Sequence, residues 1–191
     1  MERQSWNVKT IVMIGFFAAI TYLGIQAFRI PMPAAVGTPF LHFGHIFVVL
    51  GIIVLGGKKG AISGTLGLLV FDLLNGYVAA MPKIFVETVI KCLVVGALLS
   101  LAEKRAGDDK RKRYAYTLVC TVVYVFGTLF FEWLFGAAEL IIAGSGVGAA
   151  AAAAATSLPA TAINGAFTVI GIAAAYVPVT SGLKRAGMAA V

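Results

Sequence analysis

Charge is the first thing this sequence lacks. Only 12% of its 191 residues are Asp, Glu, Lys or Arg, while 60% are hydrophobic. A soluble domain carries roughly a quarter charged residues and about half apolar ones. A chain this small has too little interior to hide the excess; lipid as solvent removes the conflict. Cysteine is almost absent too. Cys92 and Cys120 both fall inside apolar runs, where thiols act as small buried hydrophobes rather than as a disulfide framework. Acidic residues number eight against 15 basic ones, a net charge of +7. A basic chain invites a nucleic-acid reading. Here the basic residues sit in short clusters between apolar runs, the pattern of topology signals, so no nucleic-acid partner is expected. The chain has no G-x-x-x-x-G-K-[ST] loop, the phosphate cradle of many ATPases.

What the chain does have is a series of apolar runs divided by breakers. They predict an all-α integral membrane protein, a single membrane domain over residues 1–191. Six spans are expected at about 11–28, 43–55, 61–74, 82–102, 114–138 and 158–177. Arg29, Pro31 and Pro33 stop the first span. No small-residue cleavage site precedes Arg29-Ile30-Pro31 and further spans follow, so the first run reads as a span rather than a signal peptide. Gly56-Gly57-Lys58-Lys59-Gly60 reads as a tight polar turn between spans two and three. Merging those two spans would set both lysines mid-membrane, at several kcal/mol each. A re-entrant hairpin is the alternative. Pro82 suits the first turn of span four, and Pro178 lies near the end of span six.

Orientation follows the basic residues. Arg3, Lys9, Lys58, Lys59, Lys104, Arg105, Lys110, Arg111, Lys112, Arg113, Lys184 and Arg185, 12 of the 15, fall on one side. Arg29 and Lys83 fall on the other, and Lys91 lies within span four. Both termini are therefore expected in the cytoplasm. Three loops face outward, over residues 29–42, 76–81 and 139–157. The last holds a glycine run, Gly144 to Gly148, then seven alanines, Ala149 to Ala155. It reads as a short interfacial helix or as a lid hinged on the glycines.

Ionisable groups inside spans are costly and mark function. Five occur: Asp72, Glu87, Lys91, Glu132 and Glu139. At a 1.5 Å rise per residue they lie roughly 6, 8, 13 and 9 Å below the outer ends of their spans, with Glu139 at the boundary. All fall in the outer half. Glu87 and Lys91 share a helix face at i, i+4, either as a self-compensating pair or as a pocket wall; Glu132 is an equal candidate partner for Lys91. Thr88 and Asn164 add neutral hydrogen-bonding groups at similar depth, and Asn164 can equally be interhelical glue. Tyr77, Phe131 and Trp133 are aromatic candidates. His42 and His45 have H-x-x-H spacing, but no further Cys or His ligand is nearby. A hydrogen-bonding role in the loop is expected, and neither a metal nor a cofactor. Gly15 and Ala19 form a small-xxx-small pair on span one that lets a partner helix approach closely.

The run His42-Phe43-Gly44-His45-Ile46, then Leu55 to Gly60 with Ala61, Ile62, Ser63 and Gly64, then Gly67, Phe71, Asp72, Leu73, Leu74 and Gly76, resembles the substrate-binding S components of energy-coupling factor (ECF) transporters. Pro82, Lys83, Thr88, Ile90 and Lys91 extend the likeness, and the Gly15/Ala19 pair falls where that family carries its small-xxx-small motif. The likeness covers about half the chain, residues 15–96. His45 departs from it, standing where many members carry an acidic or amide residue. The resemblance implies a non-enzymatic subunit in the cell membrane that takes up a vitamin-like small molecule from outside. Asp72, Tyr77, Glu87, Thr88, Lys91, Glu132 and Asn164 are its candidate substrate-binding residues. It implies a transmembrane coupling subunit, met through Gly15 and Ala19, and two cytoplasmic ATPase subunits. A flat polar heterocycle suits both charge signs and the aromatics: pyridoxine, a thiamine-pyrimidine precursor or riboflavin, in that order. The competing readings are a stand-alone ion-coupled carrier and an intramembrane metal-dependent enzyme using His42 and His45.

Overall fold

Helices take up almost all of the apolar runs. The computed structural model describes residues 6–35 and 37–185; Arg3, counted above among the inner-side cations, lies outside them. Helix α1 is Val8–Gln26, α2 Gly44–Asn75, α3 Met81–Ala106, α4 Lys110–Ile142, α5 Val147–Ala154 and α6 Leu158–Arg185. Among the described residues, five helical stretches are long and apolar enough to cross a bilayer: α1, α2, α3, α4 and the stretch that ends with α6. This is an all-α membrane protein. Asn7 starts α1 by accepting the Thr10 N–H at 2.8 Å. Asp109 starts α4 by accepting the N–H groups of Arg111 and Lys112. Such caps satisfy donors that a helix start leaves free.

The turn expected between spans two and three is smaller than Gly56 to Gly60. Only Gly56 leaves helical geometry, at φ 79° and ψ 168°, a backbone state that disfavours any residue with a Cβ. Lys58 and Lys59 already belong to the next helical turns. The chain folds back on itself at Gly56. A Cβ at Gly60 would lie 2.7 Å from Ile52 Cα, and one at Gly64 would lie 2.8 Å from Val48 Cγ1. Pairs equidistant from residue 56 touch, so residues 44–55 and 57–75 are antiparallel arms of a hairpin. Counting the arms separately gives six long rods.

Every residue from Val48 to Leu55 is buried. The first arm is therefore the central post of the bundle, apolar on all sides as a surrounded helix must be. Helices α1, α3 and α6 pack on α2, α4 packs on α3 and α6, and α5 lies on α4. Phe126 and Ile170, each 66% exposed, represent a broad outward apolar surface that only lipid satisfies.

The predicted boundaries move at several ends. Helix α1 stops at Gln26, two residues before Phe28. Helix α3 runs to Ala106 and α4 spans Lys110–Ile142, because polar ends extend helices beyond their apolar cores. Helix α6 passes Pro178 and continues to Arg185. The loop after α1 forms a two-residue antiparallel ribbon, β1 (Ile30–Pro31) with β2 (Phe40–Leu41), Ile30 opposite Leu41. The alanine tract is helical, as its composition predicts. Ala150 and Ala154 are buried, and Trp133 Nε1 donates to Ala151 O at 3.1 Å, pinning α5 to α4.

Residues 27–35, 37–43 and 76–80, and the segment 143–157 that carries α5, gather at one end. Ala35 N donates to Thr156 Oγ1 at 2.9 Å, and Arg29 donates to Asn75 Oδ1 at 3.0 Å. The other end carries Gly56, Glu103, Lys110 and Lys184 around one recess. These are the loop end and the basic end.

Candidate functional site

At the loop end a cavity of about 560 Å³ opens between α2, α3, α4, α6 and the ribbon loop. Asp72, Tyr77, Glu87, Glu132, Glu139 and Asn164 all line it. Residues scattered over 92 positions of sequence, as measured from Asp72 to Asn164, thus share one chamber. The sequence did not single out Phe40, Phe71, Lys83 and Thr161 as wall residues. Lys83 had been counted as an outer-loop charge and as part of the family likeness, not as a wall residue.

Lys91 lies beneath the chamber. Its Nζ donates to Glu87 Oε1 at 3.2 Å and to Thr128 Oγ1 at 3.3 Å, and it stands 5.3 Å from the Tyr124 ring centroid. Side-chain exposures of 2% and 4% make Lys91–Glu87 a buried ion pair. Helical spacing aligns the two groups on one face of α3. Glu132 is not the partner of Lys91. It pairs instead with Lys83 at 3.1 Å, closer to the mouth. Glu87 and Glu132 of the chamber's α3–α4 wall thus each have their own cation.

Two buried carboxylate oxygens, Asp72 Oδ2 and Glu87 Oε2, have no hydrogen-bond partner among the described residues. A carboxylate oxygen accepts and cannot donate, so these atoms call for N–H or O–H groups on whatever enters.

One wall is aromatic. Tyr77 stacks on Phe71 with rings 15° from parallel and 6.0 Å apart. Phe40 leans on both, and the Arg29 guanidinium sits 5.8 Å from the Phe71 ring centre. Phe131 and Trp133 do not join this wall: Phe131 stacks on Phe135, and Trp133 holds α5. Thr88 is fully buried and absent from the chamber lining.

Asn164 does what a strand edge would do. Its Oδ1 accepts the His42 N–H at 2.9 Å and its Nδ2 donates to Phe40 O at 2.9 Å. It is glue as well as wall, but it glues a loop to a helix rather than two helices together. His42 Nδ1 accepts the Gly44 N–H at 3.1 Å, which requires the ring to be neutral at that nitrogen. Burial, and then the Lys91 charge, push the His42 imidazole down to about 4. His45 Nδ1 meets Tyr124 Oη at 3.0 Å. Both histidines serve hydrogen bonding around the loop and the chamber floor. Gly15 and Ala19 are exposed, and a Cβ on Gly15 would meet nothing within 4 Å.

A membrane bundle that encloses one polar, aromatic-walled chamber beneath surface loops is a membrane-embedded binding protein for a small molecule. More particularly, the chain belongs to the S components of ECF-type riboflavin transporters, whose family model matches residues 5–180. No curated protein and no solved structure matches it. The chain is thus a riboflavin-type substrate-binding membrane subunit, not an enzyme. Of the three heterocycles weighed from sequence, the family selects the third, riboflavin. Charge and aromatics alone could not rank them.

Proposed function

We propose that this chain captures riboflavin in the loop-end chamber and that this end faces outward. The observation that carries the reading is the pairing of a stacked aromatic wall with two buried, unpartnered carboxylate oxygens in one cavity. The flavin ring lies against Phe40, Phe71 and Tyr77. Its imide N–H and ribityl hydroxyls serve Asp72 and Glu87, with Lys83, Glu132, Thr161 and Asn164 nearer the mouth. Lys91 holds Glu87 in place through its ion pair. A cavity near 560 Å³ falls within the roughly 300–1,000 Å³ of small-molecule sites.

The hairpin at Gly56 and the cations gathered at the basic end support six crossings with both termini in the cytoplasm. Power comes from elsewhere, through a transmembrane coupling subunit that meets Gly15 and Ala19 on α1 and two cytoplasmic ATPase subunits.

Riboflavin is its own probe, because stacking quenches its fluorescence. Titration of the purified chain should give saturable, one-to-one quenching. Asp72→Asn and Tyr77→Ala should each weaken it by about tenfold or more, the scale of one lost charged hydrogen bond or aromatic contact. Unchanged affinity in both variants would remove the chamber from consideration.

A further inference from the structure

The basic end holds a second cavity, of about 630 Å³, between the Gly56 hairpin tip, α3, α4 and α6. Lys110 and Arg113 of α4 and Lys184 of α6 line it, against the single carboxylate of Glu103. Topology signals alone explain cations at this end, but not their convergence on one recess. Among the described residues Lys110 and Lys184 have no ion-pair partner within 4.0 Å, and Glu103 has none either. Arg113 has a long, exposed contact of 4.0 Å with Asp108. With Glu103 as the one carboxylate lining the recess against three cations, the net charge of the recess is positive and attracts an anion.

The recess is also shaped. Arg113 Nε donates to Gly107 O at 2.7 Å and a terminal nitrogen lies 4.0 Å from the exposed Asp108 carboxylate, which orients the guanidinium at the rim of the recess. Tyr114 Oη donates to Ala173 O at 3.2 Å, tying α4 to α6 across the cavity. Ser100 and Ser181 add exposed hydroxyls, and Leu99, Tyr176 and Val177 give the wall an apolar strip. Guanidinium forks and lysines are the groups that recognise phosphate. Basic pockets between membrane helices suit anionic headgroups.

We infer that this cavity binds a phosphate-bearing anion, seated on Lys110, Arg113 and Lys184. The apolar strip favours a phospholipid headgroup with its chain along Leu99 and Val177; a free phosphate compound shares the polar half of that chemistry. The inference does not depend on riboflavin.

The test compares the wild-type chain with Lys110→Gln/Lys184→Gln and with Lys58→Gln/Lys104→Gln, the latter pair being basic-end lysines outside the lining. In one arm the protein is delipidated in neutral detergent and re-exposed to phosphatidylglycerol or phosphatidylcholine, and bound lipid phosphorus is counted per chain. In the other, inorganic phosphate is titrated and its effect on the melting temperature is followed. Preferential retention of phosphatidylglycerol, weakened about fivefold per cation removed from the pocket and unchanged in the control pair, supports the site with a lipid occupant. Stabilisation by inorganic phosphate with the same variant pattern supports it with a soluble one. No preference in either arm, or equal loss in both variant pairs, overturns it. A cooperative thermal transition in the same samples shows that each variant is folded.

Discussion

At the scale of single residues, the Glu87–Lys91 pair is the most consequential feature. Each charge is buried and tolerable only because of the other. Lys91→Met strands a buried carboxylate and should cost about 3–5 kcal/mol, read as a lower melting temperature in detergent. Lys91→Met/Glu87→Gln should recover most of that loss while still binding riboflavin poorly. If the double variant melts with the single one, the pair is not the source of the cost. His42 supplies a pH dependence. Its folded pKa, about 4, lies below its ordinary 6.5. The unfolded chain therefore takes up a proton that the folded chain refuses as pH falls through that interval. Stability owed to His42 is intact above 6.5 and declines down to about 4. His42→Gln should flatten part of that decline in melting temperature. Above pH 6.5 riboflavin affinity should not vary with pH through His42.

At the scale of elements, glycines set how closely the rods approach. Gly57 and Gly96 bring the hairpin tip against α3: a Cβ on Gly57 would lie 3.1 Å from Gly96 Cα. Backbone faces backbone there, so neither side can swing away. Gly96→Val should destabilise by about 1–3 kcal/mol, measured by thermal unfolding. The ribbon loop is the other element with a defined hold. Asn164 satisfies two of its backbone groups, and Asn164→Leu leaves both orphaned. Loosening this cover should speed riboflavin release by about tenfold, visible in stopped-flow fluorescence. An unchanged release rate would mean that the loop does not gate the chamber.

Considered whole, the protein has two unlike ends. Loops, aromatics and buried acids occupy one, and a cluster of cations the other. Cys92 and Cys120 are buried, so the wild-type chain is a quiet background for introduced thiols. A cysteine in place of Ala34 should react with an impermeant reagent from outside the cell, and one in place of Lys104 only after lysis. The reverse pattern would invert the proposed orientation. Gly15 and Ala19 lie exposed on α1, so Gly15→Leu should leave riboflavin binding by the isolated chain intact. It should abolish uptake in cells that supply the coupling subunit and ATPases.

Much of this was written in the one-dimensional pattern. Lipid is a demanding solvent, so apolar run length, breakers and cation clusters map directly onto helices, turns and ends, and the rarity of membrane-embedded charge marked the chamber's acids. Partner choice within the chamber was different. Glu132 with Lys83, Asn164 with the ribbon, and Phe40, Phe71 and Tyr77 as one wall depend on how the rods rotate and meet, which spacing along a single helix does not encode. The same holds for Thr88: it shares the sequence neighbourhood of Glu87 and Lys91, yet helical rotation turns it away from the cavity.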